Sequence, residues 1–202
     1  MNMLKLSVSD ANSKMGSIRS ISMPRIKTCA LGVPCAKMCY VGHFDWRTSV
    51  RNAYDNNLKL WLTDPDGFEM QATAAAYGSF YFRWHVSGDI VDMQYLEMMC
   101  RIAVRLPRTQ FLAFTKKYDL VNAFMEAGGT IPSNLHILFS SWPGYNMSNP
   151  YNLPVAYVAF KDGCCEAPAD AHECSGRCEV CAYAGKNCWV LGSGQAIVLK
   201  EH

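Results

Sequence analysis

The sequence predicts an α/β protein: a mainly parallel sheet curled as a partial (βα) barrel, with a cysteine-rich C-terminal metal-binding extension. Three observations predict it. Apolar runs of strand length alternate with stretches of helical periodicity, the pattern of strand–helix–strand units. Polar and reactive residues follow the ends of successive strands, where chemistry gathers in parallel folds. Ten cysteines are present, and nine of them fall in two short windows.

Taken in order, residues 17–23 (SIRSISM) alternate apolar with polar side chains and read as a strand closed by Pro24. A cysteine loop follows. Residues 46–62 carry Val50, Ala53, Leu58, Leu60 and Trp61 among charges, an amphipathic helix stopped by DPDG at 64–67. A short helix is expected at 68–77. The aromatic run 79–86 (SFYFRWHV) reads as a strand ending in Ser87-Gly88-Asp89. Residues 92–105 are helical by the spacing of Met93, Leu96, Cys100, Ala103 and Val104, and Pro107 stops them. A strand at 110–114, a helix at 118–126 and strands at 136–140, 155–160 and 196–199 complete the series. Residues 1–160 are expected to form the α/β domain, and 161–202 a cysteine-rich tail packed on it.

The 202 residues are 50% apolar and 18% charged, with net charge +2. That is ample for a core and too little charge for avid polyanion binding. No apolar run is long enough to span a membrane. Residues 1–31 scatter Lys5, Lys14, Arg19, Arg25 and Lys27 and lack an apolar stretch, so no secretory signal is expected. Walker, GxSxG, HExxH and Rossmann glycine patterns are absent from the sequence.

Cys29, Cys35 and Cys39 form the first cysteine window; Cys164, Cys165, Cys174, Cys178, Cys181 and Cys188 form the second. Cys100, in an apolar run, reads as a buried structural thiol. Disulfides suit an oxidising compartment and smaller chains. The tail cysteines lie among Gly, Asp, Glu and Lys, where no core is being built, so metal ligation is the favoured reading. Three thiolates make a poor closed zinc site but suit a [4Fe-4S] cluster with one open iron, with His43 a candidate fourth ligand. In the tail, where His172 lies close by, zinc and iron–sulfur both stay open. The expected ligands are Cys29, Cys35 and Cys39, then Cys165, Cys174, Cys178, Cys181 and Cys188. The vicinal pair Cys164-Cys165 also admits thiol–disulfide cycling.

The three-cysteine loop after a first strand resembles the radical-SAM architecture. That resemblance implies an open iron binding S-adenosylmethionine, with Ser87-Gly88-Asp89 placed where a Gly-Gly-Glu-type turn contacts the methionine amine. The family spacing is CxxxCxxC; here five and three residues separate the cysteines. Cys174-x3-Cys178-x2-Cys181 has the family spacing but lies near the C-terminus. Ser87, Gly88, Asp89, Thr115 and Lys116 are the expected cofactor-binding residues.

A second resemblance covers nearly the whole chain. Asn12-Ser13-Lys14-Met15-Gly16, Thr28-Cys29, Cys35-Ala-Lys-Met-Cys39-Tyr40, Arg83-Trp84-His85-Val86-Ser87-Gly88-Asp89, Phe114-Thr115-Lys116-Lys117, Ser140-Ser141-Trp142, Cys188-Trp189 and the final Lys-Glu-His202 resemble the bacteriophage gene product 88 family. It implies a phage origin and action in the host cytoplasm.

His85 reads as a bonded strand histidine or a proton donor, and Asp89 as a turn residue or an amine ligand. Five cations and no anions between 101 and 117, with Phe44, Trp46, Tyr54 and Trp61 near Arg47 and Arg51, leave phosphate contact and base stacking open. Two functions follow as expectations. One is a radical-SAM-like iron–sulfur enzyme with a small-molecule cosubstrate. The other is a non-catalytic iron–sulfur or zinc module binding a host protein or nucleic acid. No membrane partner is expected.

Overall fold

In the computed structural model, which describes residues 4–44 and 46–201, the alternating runs become strands of one eight-stranded sheet. The Phe44 side chain and His202, both part of the sequence patterns above, lie outside what is described. β1 (Val8–Ser9) pairs antiparallel with β2 (Arg19–Ile21). Parallel to β2 and to one another run β3 (Tyr81–Trp84), β4 (Gln110–Thr115), β5 (Leu135–Ser140), β6 (Val155–Ala159), β7 (His172–Glu173) and β8 (Ala196–Lys200). The order β1-β2-β3-β4-β5-β6-β8-β7 follows the chain except at its last pair, and the sheet does not close.

The strand period of two sorts side chains onto two faces. Ile21, Phe82, Trp84, Phe111, Ala113, Ile137 and Phe139 meet one face, packed by α1 (Thr48–Thr63), α2 (Pro65–Ala76), α3 (Met93–Arg105) and α4 (Tyr118–Glu126). Leu112, Leu138, Ala156 and Ile197 point the other way. They pack with Met15 and Ile18, with α5 (Cys178–Tyr183) and with the 3-10 turn Asn187–Trp189. Sequential strands carry the four longer helices on one face of an open, mostly parallel sheet, whereas a doubly wound sheet carries helices on both faces.

The expected stop at 64–67 is a shared cap. Asp64 ends α1 through its N–H to the Leu60 carbonyl, and its carboxylate accepts from Gly67 N at 3.0 Å to start α2, with Pro65 in the first turn. The second helix therefore begins at Pro65 rather than Phe68. Asp92 caps α3 by accepting from Tyr95 N at 2.8 Å. Cys100 is buried in the helix-side core. Periodicity missed β1, β7, α5 and the two 3-10 turns of the cysteine loop, Pro34–Met38 and Tyr40–Phe44. Each has six residues or fewer, too short to show a period. Segment 161–202 supplies β7, β8 and α5, and so shares both the sheet and its second core. Among the described residues, no helix is long and apolar enough to cross a membrane.

Candidate functional site at the strand ends

Three strand ends are tied together by buried hydrogen bonds. Leaving β2, the chain places the Thr28 hydroxyl so that it donates to Pro24 O and accepts from Asp89 N, both at 3.0 Å. Gly88 has φ +76°, and a Cβ there would stand 2.6 Å from Met23 O and from Thr28 Oγ1. Glycine therefore lets the turn after β3 press against the exit of β2. Asp89 is buried: its Oδ1 accepts from Ile90 N (2.7 Å) and Thr115 Oγ1 (2.6 Å), and its Oδ2 from Lys116 N (2.9 Å). Burial raises the Asp89 pKa, and the donors from Thr115, Lys116 and Ile90 oppose that rise.

Cys29, Cys35 and Cys39 are half-buried on the loop that follows β2. Cys29 is within electrostatic reach of Asp89, Cys35 and Cys39, and Cys35 of Lys116, Cys39 and Asp89. Burial raises both thiol pKa values, and Lys116 works against it at Cys35. Lys116 Nζ donates to Ser140 Oγ at 2.7 Å and stands 5.5 Å from the Trp142 ring centroid. Tyr118 donates its hydroxyl to the Ser140 carbonyl and packs on Tyr145, centroids 5.7 Å apart. Both tyrosines feel Asp89 and Cys35. The rim is thus thiols on one side, one ammonium in the middle and an aromatic wall on the other.

Of the expected cofactor-binding residues, the fold joins Asp89, Thr115 and Lys116 into one hydrogen-bonded unit. Gly88 serves backbone packing. Ser87 is buried with a hydroxyl that has no hydrogen-bond partner among the described residues. It lines a separate cavity of about 180 Å³ with Arg25, Lys27, Arg51, Tyr54 and Asp55. His85 takes φ +55°; its Nε2 is 3.2 Å from Tyr95 Oη, and its Nδ1 has no partner among the described residues. Burial, reinforced by Arg83 and Lys117, drives its pKa down to about 3, so the ring is neutral at neutral pH. The basic stretch is divided by the fold. Arg101 and Arg105 pair with Glu69, Lys117 donates to Val91 O, and Lys116 lies within electrostatic reach of Cys35. Trp61 is buried, while Trp46 is exposed.

The tail thiols gather against the opposite face of the sheet. Cys174 follows β7, Cys178 and Cys181 lie one turn apart on α5, and Cys188 sits in the last 3-10 turn. Cys178 is within electrostatic reach of Arg83, Lys14, Cys174 and Cys181, and Cys188 of Arg83, Cys174 and Cys178. Burial pushes the Cys188 thiol up to about 12. Cys164 and Cys165 are exposed in the turn leaving β6, and His172 and His43 are exposed too. Among the described residues, no group of three or more His, Cys, Asp or Glu is gathered so that it could hold a metal ion. Neither set therefore stands as a ready metal site.

Arg83, Tyr118 and Tyr145 escaped sequence reasoning as site residues. Arg83 had a signal: in SFYFRWHV it alternates with Phe82 and Trp84, which places a cation on the face away from the helices. The tyrosines had none: Tyr118 opens α4 as an ordinary core residue, and Tyr145 arrives in a turn.

A family model described as gene product 88 matches residues 4–159. The match spans the sheet through β6, the three-cysteine loop and the Asp89–Thr115–Lys116 unit, and ends before the tail cysteines. No curated protein and no solved structure matches, so nothing in the comparisons links the chain to radical-SAM proteins.

Proposed function

The chain belongs to the phage gene product 88 family, and from that premise we propose that it is an iron–sulfur enzyme of radical-SAM-like type, acting in the host cytoplasm on a small cosubstrate held at the Lys116 rim. One observation carries the reading: Cys29 and Cys35 come within electrostatic reach of each other, of Cys39 and of Asp89, and Cys35 of Lys116, at the carboxyl ends of sequential parallel strands.

The donor set fits. Three soft thiols on one loop suit a [4Fe-4S] cluster with an open iron, and the Lys116 ammonium works toward the ionised form of Cys35 against its burial. When bound, such a cluster would supply one-electron chemistry to a cosubstrate held at that iron. Asp89 accepts three donors from within the fold, so its part is to hold Thr115 and the Lys116 backbone in place. Lys116 Nζ, beside Ser140, offers a charged donor to a cosubstrate carboxylate. Trp142 offers an aromatic face for stacking. The exposed thiols and the expected lability of the cluster to oxygen fit a reducing compartment.

The test is anaerobic reconstitution with iron and sulfide, followed by EPR of the reduced protein with and without S-adenosylmethionine. A shifted cluster spectrum is expected. Loss of that shift in Lys116→Met, with iron content unchanged, would assign the rim. An unshifted wild-type spectrum would overturn the radical-SAM-like reading.

A second reading draws on one observation: Leu31 is 95% exposed, and Ile26 and Met38 on the same cysteine loop are 59% and 58% exposed. Such a loop fits a metal-stapled module that docks on a host protein. Pull-down from host lysate lost in Leu31→Asp, with iron and the S-adenosylmethionine response intact, would favour it.

A further inference from the structure

Arg83 projects from the middle of β3 onto the sheet face away from the four longer helices, a face otherwise built of Leu112, Leu138, Ala156 and Ile197. Its guanidinium lies 4.2 Å from the Phe114 ring centroid, and its Nε donates to Trp84 O at 3.1 Å. A guanidinium drawn out of water needs an anion. Among the described residues, no carboxylate forms an ion pair with it. Within its electrostatic reach lie Cys178, the Tyr40 phenol, Cys188 and Cys174, besides the neutral His85 ring.

The thiols do not stand as a ready metal group among the described residues, but Cys174, Cys178, Cys181 and Cys188 share one core cluster. Cys178 and Cys181, three residues apart on α5, share one helix face. Donors already address two of the sulfurs: Gly176 N to Cys174 Sγ at 3.4 Å, and Asn187 Nδ2 to Cys181 Sγ at 3.2 Å, with Ser175 Oγ 2.9 Å from Cys181 Sγ. Outer donors of this kind orient and tune metal-bound thiolates. We propose that Cys174, Cys178, Cys181 and Cys188 form a four-thiolate centre for a thiophilic metal, a zinc ion or an iron–sulfur cubane, with Arg83 as its counter-cation. Four thiolates around a divalent core carry two net negative charges, and one guanidinium halves them. The site has no open position and stands independently of the three-cysteine loop. It excludes Cys165, whose place in the turn leaving β6 is exposed.

The experiment uses the full chain purified without oxygen. Native-state alkylation followed by mass spectrometry is expected to label Cys164 and Cys165 and to spare Cys174, Cys178, Cys181 and Cys188 until a chelator is added. The folded triple variant C29S/C35S/C39S is expected to keep the tail's metal, with zinc, iron and sulfide content deciding which centre it is. Cys178→Ser is expected to lose it and C164S/C165S to retain it. Arg83→Met is expected to weaken retention against a chelator about 10–100-fold, with Arg83→Lys between it and wild type. Equal labelling of all six tail thiols, or a folded but metal-free triple variant, would overturn the site. Unchanged chelator resistance in Arg83→Met would overturn the counter-cation role. Because the triple variant lacks the N-terminal thiols, failure of this site and failure of the radical-SAM-like reading give different results.

Discussion

Thr115 donates its hydroxyl to Asp89 Oδ1 at 2.6 Å, and that bond fastens the end of β4 to the turn after β3. With Thr28 bonded to Asp89 N, one buried carboxylate residue holds three strand ends in register. Thr115→Val keeps the shape and removes the donor. It is expected to cost about 1–3 kcal/mol in denaturant unfolding, since Asp89 is left short of a partner in a dry site. Thr115→Ser should recover most of the loss; equal losses in both variants would mean that the hydroxyl is idle.

Gly88→Ala combines a left-handed backbone with a Cβ 2.6 Å from the Met23 carbonyl oxygen. Neither problem is relieved by a flexible side chain. The expected cost is about 2–4 kcal/mol, read as a lowered melting temperature. A Gly88→Ala protein as stable as wild type would contradict the close approach of β2 and β3.

His85 is held neutral by burial, with its pKa down to about 3 against 6.5 for the free side chain. The unfolded chain therefore binds the extra proton between those values, so stability rises with pH across that window and is lost as pH falls through it. The loss attributable to this ring is at most about 5 kcal/mol. In His85→Asn, which tolerates the positive φ, the unfolding free energy should fall less steeply from pH 6.5 toward 3 than in wild type. Identical slopes would place the acid sensitivity elsewhere.

Glu69 on α2 binds Arg101 and Arg105 of α3, with oxygens at 2.7 and 2.6 Å from their nitrogens. Its hydrogen bond with Arg101 leads the causes that lower its pKa, so this pair stabilises the fold above the ordinary glutamate range and fades as pH drops through the lowered value. The arginines are half exposed. Glu69→Gln is accordingly expected to cost only about 1 kcal/mol at pH 7, with the difference from wild type vanishing in acid or high salt.

The helix and strand series was legible because its segments are long and periodic: 118–126 and 110–115 stand where Tyr118, Val121, Phe111 and Ala113 demand. The three-cysteine loop and the Asp89–Thr115–Lys116 cluster were legible as strand ends, since topology alone brings such ends together. Ser87 and Asp89 were not separable in sequence, yet Ser87 lines the Arg25 cavity while the Asp89 carboxylate bonds to the end of β4. The tail was legible only as spacing. Which of its thiols converge depends on how β8 enters the sheet between β6 and β7, a long-range pairing that no local pattern encodes.

The sheet face away from α1–α4 is roofed by Met15, Ile18, a six-residue helix and a three-residue turn. Pieces that short do not persist in water unaided. Whatever unclips them strips the cover from Leu112, Leu138, Ala156 and Ile197, a greasy strip with affinity for any copy in the same condition. Alkylation of the tail thiols should accordingly register first as turbidity or a larger hydrodynamic radius, ahead of any drop in helical signal.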